Sequence, residues 1–230
     1  MIFNQLFDNK SSTYTYIIAS DKGREALIID PVIENTEEYL KVLKELDLKL
    51  VKVIDTHIHA DHVTGLNELS KRTKCIKVMG EHSKSEVLDV RVKDDEKIEI
   101  DKIELKVIYT PGHTDCSYSF FMNDRVFTGD TLLINGTGRT DFQSGSAKIQ
   151  YDSLFNKLLK LPEKTMVYPA HDYNGKKFST IKDEKNKNPR LQVNSVDEYV
   201  EIMNNLNLGN PKMMDVAIPA NLKGLTLNQL

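Results

Sequence analysis

Thr56-His57-Ile58-His59-Ala60-Asp61-His62 is the stretch that decides the fold. Three imidazoles and one carboxylate fall within residues 57–62, directly after the apolar run Leu50-Val51-Lys52-Val53-Ile54. The run predicts a strand, and a strand ending in such a cluster projects several ligand-type side chains from one rim of a sheet. Neutral imidazole and ionised carboxylate suit zinc, iron and similar ions. The stretch therefore signals a metal site.

The remaining histidines repeat the pattern. The chain has 6 histidines; His113 follows Thr110-Pro111-Gly112 and His171 follows Tyr168-Pro169-Ala170, while only His82 lacks a motif-like setting. Asp130 closes Thr128-Gly129-Asp130 after Arg125-Val126-Phe127. Each time a β-rich run meets a Pro or Gly and then a ligand-type residue. A lone histidine of this kind is ordinarily a surface or hydrogen-bonded side chain, but five at strand ends point to convergence at loop tips, where scaffolds build sites.

Outward from these motifs, the first third reads strand, strand, strand, helix, strand. Thr13–Ala19 and Glu25–Ile29 are β-rich and separated by the turn Ser20-Asp21-Lys22-Gly23,. Thr36 caps a helix to about Leu46, with Glu37 and Glu38 in its first turn,. Helical character returns over Gly65–Lys71, and Ile76–Met79 is a short strand. The middle is β-rich: Lys97–Ile100, Ile103–Tyr109, Tyr118–Met122 and Arg125–Thr128 alternate with tight turns. Apolar spacing over 150–160 predicts one amphipathic helix. Met166–Tyr168 is the last clear strand, 179–187 and 196–206 read as helices, and the tail after Gly209 reads as irregular. No linker, repeat or low-complexity segment interrupts the chain. The pattern is that of an α/β sandwich, two mixed β-sheets flanked by helices, in a single domain over residues 1–230.

Bulk properties narrow the function. With 230 residues and 40% hydrophobic content, a substantial core is available,. A net charge of -3 from mixed charges leaves no concentrated basic surface, so no nucleic acid is expected as a partner. The Lys182–Lys187 segment also carries Asp183 and Glu184 and reads as a solvated helix face,. No run approaches the roughly 20 apolar residues that span a bilayer, so no membrane is expected. The N-terminal residues lack a basic segment followed by an apolar one, and Cys75 and Cys116 read as free thiols,. The expectation is a cytoplasmic protein.

The set T-H-I-H-A-D-H, P-G-H-T, T-G-D-T and P-A-H-D, in this order, resembles the metallo-β-lactamase superfamily. Within it, the chain resembles the persulfide dioxygenases through Gly138-Arg139-Thr140-Asp141-Phe142-Gln143, Pro169-Ala170-His171-Asp172-Tyr173, Asn188-Pro189-Arg190-Leu191 and the tail with Ile218-Pro219-Ala220-Asn221. The glyoxalase II hydrolases share the metal motifs but usually differ at the 138–143 loop. Two positions depart from the family pattern: Cys116 stands where Gly is common, and Thr137 where some members have Cys.

The resemblance implies an αββα sandwich and a non-haem iron dioxygenase. It implies one Fe(II) per chain held by His57, His113 and Asp130, and glutathione persulfide and O2 as substrates, giving sulfite and glutathione in sulfide oxidation. It places His59, Asp61, His62 and His171 around the iron, where they orient ligands, or, in the dinuclear alternative, makes them ligands of two Zn(II) or mixed metals. That alternative is a hydroxyacylglutathione thioester hydrolase, in which metal-bound hydroxide attacks a carbonyl. Tyr173, Arg139 and Arg190 are the substrate-binding candidates. Arg139 could take a glutathione carboxylate, or pair with Asp141 or Asp172 to hold its loop. Arg190 could equally be a helix-terminus element. A homodimer is a permitted assembly.

Overall fold

The computed structural model describes residues 1–209, 211 and 213–229. β1 (Ile2–Asp8) pairs antiparallel with β2 (Thr13–Ala19), and β2 shows how the layers arise. All its side chains are buried: Tyr14, Tyr16 and Ile18 enter one apolar cluster, Ile17 and Ala19 another. Successive strand residues point to opposite faces, so an apolar run without alternation marks a sheet covered on both sides.

The first sheet runs β1-β2-β3-β4-β5-β6. After β3 (Glu25–Ile29), α1 (Thr36–Glu45) crosses to β4 (Lys49–Ile54), and α2 (Leu66–Thr73) crosses to β5 (Ile76–Gly80), which pairs with β6 (Val90–Val92). β3 to β6 are mutually parallel, as crossover connections require. The second sheet has the order β12-β11-β10-β9-β8-β7. Its strands β7 (Lys97–Ile100), β8 (Ile103–Tyr109), β9 (Tyr118–Met122) and β10 (Arg125–Gly129) form an antiparallel meander. A crossover containing α3 (Ala147–Asp152) leads to β11 (Met166–Pro169), parallel to β10. β12 (Ser179–Thr180), α4 (Ile181–Lys187), α5 (Val196–Asn204) and α6 (Met214–Lys223) complete the chain. The sheets face each other across a shared cluster that includes Tyr16, Leu27, Ile54, Leu105, Phe120 and Phe127. Tyr39 and Leu69 cover the outer face of the first sheet, Leu154, Ile181 and Tyr199 that of the second.

Parallel pairing fixes where the site lies. It brings strand ends of like polarity to one rim, and Ile29↔Ile54 and Gly129↔Pro169 are in register. The residues that follow β4, β10 and β11 therefore emerge together.

The structure corrects the reading of three segments. Residues 150–160 are not one helix: α3 ends at Asp152, a π turn takes Ser153–Lys157 and a 3-10 turn Leu158–Lys160. The π turn lets Ser153 donate to the Pro111 carbonyl (2.7 Å) and Lys157 to that of Tyr109 (2.7 Å), which breaks the regular 3.6-residue period. Residues 179 and 180 form β12 before α4 begins, because Thr180 caps the helix and must be extended. The tail contains the helix α6, although Asn210, Lys212 and Leu230 lie outside the described residues. Pro219 inside it and a weak segregation of apolar residues hid its period,.

Candidate metal centre

His57 leaves β4 and is buried. Its Nδ1 lies 2.9 Å from Thr56 Oγ1. That hydroxyl donates its only proton to Asp30 Oδ2 (3.0 Å), so it accepts from His57 Nδ1–H, and Nε2 carries the lone pair. On the opposite side, His113 sits beyond the sharp turn at Gly112, where φ is +132° and a Cβ would fall 2.3 Å from Gln150. His113 Nδ1 donates to the Arg139 carbonyl (2.7 Å), which leaves Nε2 as the nitrogen that can take a metal. Both Nε2 atoms face Asp130: Oδ2 lies 4.0 Å from His57 Nε2 and 3.6 Å from His113 Nε2. Ligands of one divalent ion at about 2.0–2.2 Å lie roughly 3.0–3.5 Å apart. Contraction by roughly 0.1–0.6 Å toward His113 and 0.5–1.0 Å toward His57 brings Asp130 Oδ2 to that spacing from both nitrogens. The donor types, two imidazoles and a carboxylate, fit the facial arrangement of non-haem iron.

The second group lies alongside. His171 reaches two carboxylates at once, Nδ1 to Asp130 Oδ1 (2.6 Å) and Nε2 to Asp61 Oδ2 (2.7 Å). His62 Nδ1 meets the same Asp61 oxygen at 3.0 Å, and Thr13 Oγ1 lies 3.0 Å from His171 Nε2. His59 Nε2 is 3.2 Å from Asp30 Oδ1. Among the described residues, His59 Nδ1 and His62 Nε2 are buried with no hydrogen-bond partner, and a buried polar nitrogen left alone is costly. The seven residues thus form two groups of converging donors: His57, His113 and Asp130; and His59, Asp61, His62 and His171.

Electrostatics follow from burial and carboxylate placement. Burial, reinforced by the neighbouring His59, holds His57 well below the usual imidazole range, so it is a neutral donor. Burial acts the same way on His171 but is outweighed by Asp130 and Asp61, which hold it protonated. For Asp130, burial is likewise outweighed by His171, His113 and His57, and the carboxylate is ionised. Burial pushes Asp55 up to about 7.

The substrate-binding candidates occupy three different environments. Tyr173 is 72% exposed on the rim, its ring parallel to that of His171 at 6.3 Å. Arg139 is held in a fork by Asp141, with both N···O distances 2.7 Å, and donates to the Gly209 carbonyl while lying over Phe142. Asp141, not Asp172, is its partner. Arg190 donates to the Thr137 carbonyl and hydroxyl, beside the 138–143 loop. The Cys116 thiol is buried and accepts from the Ile58 amide (3.5 Å); burial pushes it up. Thr137 takes hydrogen bonds from Arg190 and Tyr199, roles a hydroxyl fills well. Sequence reasoning missed Thr13, Thr56, Asp30 and Asn221. Asp30 carried a signal as the Asp-Pro pair after β3, Thr56 and Asn221 stood inside quoted motifs without an assigned role, and Thr13 carried none.

Residues 9–171 match the family model described as Metallo-beta-lactamase superfamily. The chain is 42% identical over 226 residues to the mitochondrial persulfide dioxygenase ETHE1 of Mus musculus, covering 97% of this chain and 88% of the relative. It is 31% identical over 207 residues to a hydroxyacylglutathione hydrolase of Dictyostelium discoideum, covering 84% and 74%. Among solved structures, ETHE1 from Myxococcus xanthus superposes with a TM-score of 0.94 at 47% identity, over 96% of this chain and 98% of that one.

Proposed function

The chain belongs to the metallo-beta-lactamase superfamily and, within it, to the persulfide dioxygenases; from that premise we propose that His57, His113 and Asp130 hold one Fe(II), and that the substrate is glutathione persulfide. The enzyme is a persulfide dioxygenase, and groups of His and Asp donors that could hold a metal converge at the sheet rim. The iron, the glutathione portion and the use of the remaining side chains are our reading. The observation that carries it is the paired anchoring of His57 and His113: each ring is tied by Nδ1 and presents Nε2 to Asp130.

When bound, Fe(II) supplies open coordination positions and redox chemistry toward dioxygen that zinc lacks. The chain's own residues supply the rest. Thr56 and the Arg139 carbonyl fix the two imidazole tautomers. His171 holds a proton between Asp130 and Asp61, which keeps both carboxylates ionised and oriented. Burial of His57, His59 and His62 keeps bulk water off one side. Tyr173 offers an exposed aromatic face at the entrance for the tripeptide, whereas Arg139 and Arg190 serve the loop. The net reaction is RSSH + O2 + H2O giving RSH and sulfurous acid, which ionises to sulfite. The persulfide as a whole loses four electrons and dioxygen takes them, so no external reductant is needed.

One observation favours a second reading. His59 Nδ1 and His62 Nε2, which have no partner among the described residues, are nitrogens that a second ion would satisfy, as in a dinuclear thioester hydrolase. Iron-reconstituted protein decides between them. We expect about one iron per chain, oxygen uptake on addition of glutathione persulfide, and sulfite formed in equal amount. Two bound ions, with cleavage of an S-acyl glutathione and no oxygen uptake, would overturn the proposal.

A further inference from the structure

The loop that carries His59, Asp61 and His62 is tied down from α6, an element far from it in sequence. Asn221 is buried (3% exposed). Its Nδ2 donates to the carbonyls of His59 and His62, both at 3.0 Å, and its Oδ1 accepts from the Thr64 amide at 2.8 Å. Two acceptors face the amide nitrogen and one donor faces its oxygen, so only one flip of the carboxamide satisfies the site. The helix is docked to place it there: Ala217 and Ala220 pack with Ile33 and Val63, and Glu86 N–H bonds to the Leu222 carbonyl at 2.8 Å. Asparagine is a poor helix former, which sets this inward-facing residue apart from ordinary helix packing.

We infer that Asn221 is a positioning residue for the metal centre, and that docking of α6 and loading of the metal are coupled. The path is physical. Asn221 fixes the loop backbone around Asp61; Asp61 holds His171 Nε2 at 2.7 Å, and His171 Nδ1 holds Asp130 Oδ1 at 2.6 Å. Gln143 secures the same loop from the other side, donating to the Ile58 carbonyl at 2.7 Å. Loss of the Asn221 carboxamide leaves two carbonyls and one amide buried without partners. The loop then shifts, and Asp61, His171 and Asp130 move with it. The inference rests on the metal-centre reading above, and metal content of the unaltered protein tests that reading separately.

The test uses the full chain, with Co(II) as a probe of ligand geometry. Asn221→Asp keeps the size but sets a carboxylate against two carbonyls; Asn221→Ala removes the group. We expect each to raise the Co(II) dissociation constant roughly tenfold or more, in the range seen for residues that orient ligands, and to alter the visible ligand-field spectrum. Leu158→Ala, a truncation in the buried cluster of the other sheet, lowers the melting temperature but keeps both readouts. Parent-like affinity and spectrum in the Asn221 variants, or equal weakening in Leu158→Ala, would refute the inference. Hydrogen exchange on the unaltered protein gives a check that needs no variant. Coupling is reciprocal, so metal must slow exchange at Thr64 and across 214–223 more than across 97–109. Equal slowing in both regions sinks the coupling.

Discussion

The Thr56 hydroxyl illustrates how much of this centre depends on groups that never touch the ion. It donates to Asp30 and accepts from His57, and a valine of similar shape can do neither. Thr56→Val is therefore expected to fold and to bind metal roughly 10–100-fold more weakly, measurable by competition with a chromophoric chelator. Asp130→Asn is expected to abolish turnover and stoichiometric metal binding, because the amide can neither carry the ligand charge nor accept fully from His171. The His and Asp side chains that converge were legible in the sequence, since His and Asp after strand-and-breaker patterns are rare enough to stand out. Thr13 was not, and Thr56 and Asn221, though they stand inside quoted motifs, showed no role there, because an uncharged side chain does not announce its partner. Their roles come from what the fold sets beside them.

At the scale of elements, two turns matter most. Gly112 precedes His113 at a φ that L side chains rarely adopt, with the α3 backbone where a Cβ would go. Gly112→Ala should cost about 2–4 kcal/mol from combined strain and overlap, read as a lower urea midpoint, and should also weaken metal binding by displacing His113. The turn between β1 and β2 depends on Asp8, which accepts from the Lys10 and Ser11 amides, the Ser11 hydroxyl and Asn35. Partial burial raises its pKa, but these bonds outweigh it and hold the carboxyl below its usual value. A folded pKa below the unfolded one gives stability that is present above about pH 4 and lost as pH falls through the folded value. The gap in urea midpoint between the parent and Asp8→Ala should therefore be widest near neutrality and close in acid. A constant gap from pH 7 to 3 would contradict this account. The longer strands were read well because their runs are rich in β-branched and aromatic residues, whereas the short β6 and β12 escaped. The break after Asp152 and the helix α6 escaped, since a π turn spoils helical spacing and Pro219 imitates a terminus.

For the whole molecule, the sandwich was legible because two strand families, one crossed by helices and one a meander, must each bury both faces. Phe120 lies fully buried where the sheets meet, and Phe120→Ala should cost about 3–5 kcal/mol, measurable by chemical denaturation. Metal acts on the same equilibrium. An ion that binds only the folded chain adds about 2.7 kcal/mol at a hundredfold excess over its dissociation constant, so a chelator should lower the melting temperature, and fresh metal should restore it. The site joins donors at residues 57, 113, 130 and 171, and Asn221 braces it from still further along. A fragment ending before Asp130 would lack one member of the trio, so it is expected to bind no metal in that group.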